Sequence, residues 1–307
     1  MTHLSMDKRL KMEWNVTSEE HGLLLREFVG LKGISKRGLT AIKYGGGGLY
    51  LNHEEVTVRR ECHTGDRIRV YFPPETRSDS LISEDLGLEV LYEDNWLLAV
   101  HKPAGMNTIP SRDAQTGSLA NALAGYFDKK EIAAGIHIAT RLDKDTSGVV
   151  LAAKYAHIHH LLSEMQQSNL VNREYHAIAE GAVVNDEGTI DQPISREPGS
   201  IITRMVDPDG QRAVTHYKKL AAGDRHTMLS FTLETGRTHQ IRVHAAWLGH
   251  PLAGDDLYGG KLDFISRQAL HCRKLSLPHP VTHDWIEVES PLPADMIACM
   301  KKTGMNG

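Results

Sequence analysis

Residues 140–148 read Thr140-Arg141-Leu142-Asp143-Lys144-Asp145-Thr146-Ser147-Gly148, and Val149-Val150-Leu151-Ala152-Ala153 follow without a break. An apolar, β-branched run of that length reads as a buried strand. The polar residues before it then form a loop presented by a rigid element, where reactive side chains are commonly held. Asp143 is the reactive candidate of that loop. Taken alone, the same pattern also describes an Asx-type turn before a strand, so its meaning depends on what the rest of the chain supplies.

Strand-like segments surround this loop on both sides. Before it, residues 88–95 and 96–100 read as strands and 117–126 as a helix; after it, 154–167 reads as a helix and 174–180, 203–206, 215–220 and 226–234 as strands. Many strands with scattered helices predict an α+β domain on a mixed, largely antiparallel sheet with flanking helices and loops. No glycine-rich turn between a strand and a helix supports a doubly wound dinucleotide fold. A small α/β module precedes this domain. Residues 23–29 have helical apolar spacing, and Ser35 caps a second short helix that carries Lys36, Arg37 and Lys43. Gly45 to Gly48 form a turn, residues 49–52 and 55–58 short strands, and Thr64-Gly65-Asp66 a turn into the strand 67–72. Pro73-Pro74 closes the module. The expected division is a module over 1–77, a linker over 78–87 and a main domain over 88–307.

Composition narrows the class. The 307 residues are 40% hydrophobic and 24% charged, which suits a globular chain. No run approaches the roughly 18 apolar residues of a membrane span, and Met1 to Asp7 lack the apolar core of a secretory signal. Cys62, Cys272 and Cys299 are odd in number and far apart, which argues against a disulfide framework or a cysteine-rich zinc site. The expectation is a cytoplasmic monomer with reduced thiols. Net charge is −4, yet residues 1–77 hold 13 Lys and Arg against 10 Asp and Glu, while residues 78–307 hold 22 against 29. Contact with a polyanion is therefore expected at the N-terminal module or in a local basic groove.

Three further segments carry chemistry. His101-Lys102-Pro103-Ala104-Gly105 places one cation in a Pro/Gly loop. Asn172-Arg173-Glu174-Tyr175 sets an aromatic at the start of a strand. Leu233-Glu234-Thr235-Gly236-Arg237-Thr238-His239-Gln240-Ile241-Arg242-Val243-His244 turns at Gly236 into an apolar-periodic stretch, and the turn-rich Gly249-His250-Pro251-Leu252-Ala253-Gly254-Asp255 follows. His157-Ile158-His159-His160 has nothing obvious to complete a metal site.

With Arg141-Leu142-Asp143 and Thr146-Ser147-Gly148, these segments resemble the RluA family of pseudouridine synthases. The likeness spans residues 88–292 and is specific because four segments recur in order. It implies the pseudouridine synthase fold and an isomerase that breaks the ribose–uracil nitrogen bond, turns the base and rejoins it through carbon, with no cofactor and no metal. By the same resemblance Asp143 is the catalytic carboxylate, Arg242 the cation that pairs with it, and Tyr175 the aromatic that stacks on the target uracil. Ile241 borders the substrate, and Lys102 supports the active-site loop or touches backbone phosphate. The base must leave its helix before reaction, and Arg141, beside Asp143, is placed to fill the space left behind or to hold phosphate. Thr140 departs from the family, many members of which carry His there. The N-terminal module is similar to the alpha-L type of RNA-binding module, on residues 35–43 and 64–66, which implies RNA contact by Lys36, Arg37 and Lys43. The implied partner is RNA, large-subunit ribosomal RNA ahead of transfer RNA. Two rivals stand beside this reading. One is a non-catalytic RNA-binding assembly factor. The other is a hydrolase with an Asp nucleophile, which needs a second acid/base group or a metal that the sequence does not display.

Overall fold

The computed structural model describes residues 9–78 and 80–305. The N-terminal part contains β1 (Lys11–Asn15), α1 (Leu25–Leu31), α2 (Lys36–Tyr44), β2 (Gly48–Leu51), β3 (Glu54–Glu55) and β4 (Arg67–Tyr71), the strands forming an antiparallel sheet in the order β1-β4-β2-β3. Ser35 caps α2 by accepting from the Gly38 N–H at 3.1 Å, an interaction worth about 1 kcal/mol. Ile42 turns inward, whereas Lys36, Arg37 and Lys43 are exposed. β3 is shorter than the pattern over 55–58 suggests. The carbonyls of Val58 and Arg60 instead accept from Arg26 and Leu25, satisfying N–H groups that the start of α1 leaves unpaired.

The main domain contains β5 (Glu89–Glu93), β6 (Leu97–Lys102), α3 (Leu119–Lys129), β7 (His137–Ile138), β8 (Ser147–Ala153), α4 (Ala156–Gln167), β9 (Asn172–Glu180), β10 (Glu187–Asp191), β11 (Ile194–Arg196), β12 (Arg204–Val206), β13 (Val214–Ala222), β14 (His226–Leu233), α5 (Gln240–Trp247), β15 (Leu270–Pro278), β16 (Trp285–Glu289) and α6 (Ala294–Lys302). A ten-stranded sheet runs β10-β13-β14-β9-β15-β8-β6-β5, with β16 on β15 and β7 on β8. Every pairing is antiparallel except β8 with β15, so the α+β, largely antiparallel expectation holds. Among the described residues no helix is long and apolar enough to cross a membrane.

All seven residues of β8 are buried, as its unbroken apolar run requires. Its parallel partner depends on Gly148. That residue has φ +120°, and a Cβ there would run into the Cys272 backbone. The close approach fixes where the chain enters β8, and hence where the Asp143 loop hangs.

Residues 73–87 are not a free tether. The Glu75 carboxylate accepts from the Ala156 N–H at the start of α4 (2.7 Å) and meets His137 Nε2 at 2.6 Å. Phe72 stacks on the buried His157, ring centroids 4.7 Å apart. The Glu84 N–H donates to the Asn121 carbonyl (3.1 Å) and the Glu84 carboxylate accepts from the Gly117 N–H (2.6 Å). These bonds hold the segment along α3 and α4.

Asp94 ties the β5–β6 turn to the segment after β15. Its carboxylate accepts from the Trp96 and Leu97 N–H groups (2.7 Å each), the Tyr92 hydroxyl (2.7 Å) and His279 Nε2 (2.9 Å). Burial alone would raise its pKa, but the donors, His279 foremost, outweigh that and hold it at about 2 against an ordinary 3.8. A depressed carboxylate contributes stability above its unfolded pKa and loses it as pH falls through the folded value. Asp94→Asn is therefore expected to cost about 2 kcal/mol at neutral pH. Denaturant unfolding should show that gap closing as the pH is lowered from 4 toward 2; a gap that is constant over this range would contradict the assignment.

Candidate active site

The Asp143 loop is held by its backbone, which leaves the Asp143 carboxylate free for other work. The Thr108 hydroxyl donates to the Leu142 carbonyl (2.7 Å), Arg267 Nη1 donates to the Asp145 carbonyl (3.0 Å), and Arg267 is itself fixed by Asp295 (2.6 and 2.9 Å). Thr140 is buried and accepts from the Leu151 N–H at 2.9 Å. Its hydroxyl stitches the loop to β8.

Lys102 takes the first of its two expected roles, loop support, and not the second, phosphate contact. Its ammonium is fully buried and spends its three protons on the carbonyls of Pro103 (2.9 Å), Met106 (2.8 Å) and Lys144 (2.9 Å). None is left for a phosphate or a substrate, so Lys102 braces the loop. Burial pushes its pKa down to about 8, against the pull of the Asp145 and Asp143 carboxylates. Lys102→Met leaves three carbonyls without that donor and is expected to cost at least about 2 kcal/mol. Hydrogen exchange should show faster opening over residues 143–146; protection equal to wild type would refute the brace.

Asp143, Tyr175, Arg242, Ile241 and Arg141 line one cavity of about 80 Å³. They come from distant parts of the chain. Asp143 and Arg141 lie before β8, Tyr175 on β9, and Ile241 and Arg242 on α5. Arg141, Asp143, Arg173 and Arg237 also line an adjoining groove of about 1040 Å³, to which Lys144 and Arg212 add charge. Arg141 is exposed and, among the described residues, takes part in no ion pair. Lys36, Arg37 and Lys43 line neither the cavity nor the groove; they sit on α2 in the N-terminal sheet module.

Arg242 bridges two carboxylates unequally. Its Nε and Nη2 donate to the two oxygens of Asp255, each at 2.7 Å, while Nη1 reaches Asp143 Oδ2 at 3.4 Å. Asp255 is 1% exposed, whereas the Asp143 side chain is 29% exposed. The expected contact with Asp143 is thus present, but the buried charge that Arg242 neutralises most directly is Asp255. Burial opposes the guanidinium charge, but the carboxylates outweigh it and raise the Arg242 pKa.

The Tyr175 ring is buried in β9, and burial pushes its phenol pKa well above the ordinary range. It lines the cavity as a neutral phenol. His239 occupies the N-cap position of α5 in a left-handed conformation, φ 58° and ψ 18°. Its Nδ1 lies 2.7 Å from the Tyr258 hydroxyl and its Nε2 3.9 Å from Asp143 Oδ2. Sequence reasoning assigned no role to Asp255, His239 or Tyr258. The run Gly249 to Asp255, too turn-rich for a plain helix end, was the available signal for the first.

Comparison with known proteins identifies the family. Residues 96–247 match the family model described as RNA pseudouridylate synthase. In Bacillus subtilis (strain 168), "Uncharacterized RNA pseudouridine synthase YjbO" is 47% identical over 279 residues, covering 91% of this chain and 99% of the relative. "Ribosomal large subunit pseudouridine synthase D" of Pseudomonas aeruginosa is 39% identical over 249 residues, covering 76% and 77%. Among solved structures, "Human RNA Pseudouridylate Synthase Domain Containing 1" aligns with a TM-score of 0.59 at 25% identity, over 71% of this chain and 89% of that one. With Asp143, Tyr175 and Arg242 gathered in one cavity and relatives of this similarity along nearly its whole length, the chain belongs to the RluA-type family of RNA pseudouridine synthases and is an RNA-modifying isomerase.

Proposed function

We propose that the protein isomerises a uridine of large-subunit ribosomal RNA, with Asp143 as the catalytic carboxylate. The single observation that carries the site assignment is the cavity shared by Asp143, Tyr175 and Arg242, reached from a groove flanked by Arg141, Lys144, Arg173, Arg212 and Arg237. Guanidinium and ammonium groups along a groove suit a phosphate backbone. The relatives named as large-subunit enzymes favour ribosomal over transfer RNA.

The reaction breaks the C1′–N1 bond, forms C1′–C5, removes a proton from C5 and returns one to N1. Asp143 is the group in the cavity able to attack the sugar or base, or to take the proton. Stacking on an aromatic face is worth ~1–3 kcal/mol per base and tolerates a turning ring, which is the role proposed for Tyr175, with Ile241 closing the pocket beside it. Arg242 offsets the charge of Asp143. Arg141, at the rim and in no ion pair among the described residues, fills the space of the extruded nucleotide or holds its phosphate. Lys36, Arg37 and Lys43 extend the RNA contact away from the cavity. Pseudouridine mapping of total RNA from cells lacking the protein tests the target. Loss at a large-subunit ribosomal uridine is the expected result; loss in a transfer RNA alone would overturn the ribosomal assignment.

A further inference from the structure

We infer that His239 and Asp143 together read the ribose 2′-hydroxyl of the target nucleotide, His239 donating to it and Asp143 accepting from it. The inference rests on the reading of Asp143 as the carboxylate that meets the extruded uridine. His239 Nε2 and Asp143 Oδ2 are 3.9 Å apart. That is too long for a direct hydrogen bond, but one oxygen at about 2.8 Å from each spans it. The two atoms present opposite chemistry. The carboxylate only accepts, and the imidazole edge facing it donates. A hydroxyl satisfies both at once, being donor and acceptor. A uracil carbonyl would meet the lone pairs of the carboxylate, and a uracil N–H would meet the proton of the imidazole.

The donor state of His239 follows from its neighbours. The Tyr258 hydroxyl accepts from the Arg204 N–H at 3.0 Å and lies 2.7 Å from His239 Nδ1. Among the described residues, Nδ1 is the acceptor that the phenolic proton reaches. In the tautomer in which Nδ1 accepts that proton, the ring proton sits on Nε2, toward Asp143. Burial lowers the His239 pKa, which favours this neutral form at neutral pH, with Asp143, Arg242, Arg204 and Asp255 the charged groups around it. The backbone supports the same role. A helix N-cap is usually Ser, Thr, Asp or Asn, bonding back to the helix. Here it is a left-handed His that makes no capping bond, and local strain of this kind is kept where the side chain is needed elsewhere.

The geometry selects the 2′ position. In an internal nucleotide the 3′ and 5′ oxygens are esterified, so the 2′-hydroxyl is the one free hydroxyl of the sugar, one carbon from the C1′ at which the bond breaks. It is also the group that distinguishes RNA from DNA. His239, and Tyr258 behind it, thereby become specificity residues. Tyr258 lies beyond residues 96–247, where the family model matches.

The test uses a synthetic RNA hairpin spanning the uridine located by mapping, made once with uridine and once with 2′-deoxyuridine at that position. The quantity read is the ribose-over-deoxyribose preference. It is taken from single-turnover rates, or from competition binding where the deoxy form is not turned over. His239→Leu is expected to shrink the preference about tenfold or more. His239→Gln, which keeps an N–H, should restore part of it, and Tyr258→Phe should shift it in the same direction as His239→Leu. An equal loss on both RNAs in His239→Leu would overturn the inference, as would an unchanged preference in Tyr258→Phe should the Leu variant fail to fold. Asp143→Asn is run alongside. If it turns over the ribose RNA normally, the underlying catalytic reading fails; if it is inactive while the preference ignores His239 and Tyr258, only the hydroxyl reader fails.

Discussion

Replacing Asp143 with Asn is expected to lower pseudouridine formation by about 10⁴-fold while RNA affinity stays within a few fold and stability within about 0.5 kcal/mol. The separation of these effects follows from how the loop is held. Leu142, Lys144 and Asp145 are anchored through their carbonyls by Thr108, Lys102 and Arg267, and none of these bonds uses the Asp143 side chain. Its partner Arg242 does not lose its counter-charge, since Asp255 holds it at 2.7 Å on two nitrogens. The amide of Asn fits the same space and accepts weakly, but it can neither attack as an anion nor take up a proton at neutral pH. Single-turnover tritium release from uracil-labelled RNA, filter binding and denaturant unfolding measure the three quantities. Turnover within tenfold of wild type would remove Asp143 from the chemistry. A large stability loss would instead mean that the carboxylate is part of the scaffold.

Local sequence exposed some of these features and hid others for definable reasons. β8 was readable because a strand buried on both faces must be apolar throughout, and Val149 to Ala153 are. The antiparallel strands β9, β13 and β14 were readable from composition and turn spacing. β15, central in the sheet, was not. Its alternation is interrupted between Cys272 and Lys274 by a bulge, so Leu270 to Pro278 show no steady period of two. The Asp143–Tyr175–Arg242 grouping was legible only through the family resemblance that several segments carry together, because β9 and α5 deliver their residues from far along the chain. Lys102 left two roles open for a different reason. A lysine in a Pro/Gly loop resembles an exposed cation, and nothing local says that the loop folds its own carbonyls over the ammonium. Asp255 is the hardest case. It lies 13 residues beyond Arg242 in an irregular loop, and its importance consists wholly of the pair that the two make once α5 and that loop meet.

That pair yields the second large effect. Arg242→Met is expected to lose about 3–5 kcal/mol of stability together with most turnover. The stability cost falls on Asp255. At 1% exposure its carboxylate would have, among the described residues, no other side-chain donor. Asp143, at 29% exposure, can still be solvated. Neutralising the stranded group should therefore repair the fold but not the reaction. Arg242→Met combined with Asp255→Asn is expected to regain most of the lost stability, giving a coupling energy of several kcal/mol in a double-mutant cycle, while turnover stays low because Asp143 still lacks its cation. Thermal unfolding and single-turnover rates on the same four proteins complete the cycle. Recovery of both stability and turnover in the double variant would show that Arg242 serves only to neutralise Asp255. Recovery of neither would show that the guanidinium is needed as a packed shape under Tyr258, whose ring lies 5.0 Å from its Cζ, more than as a charge.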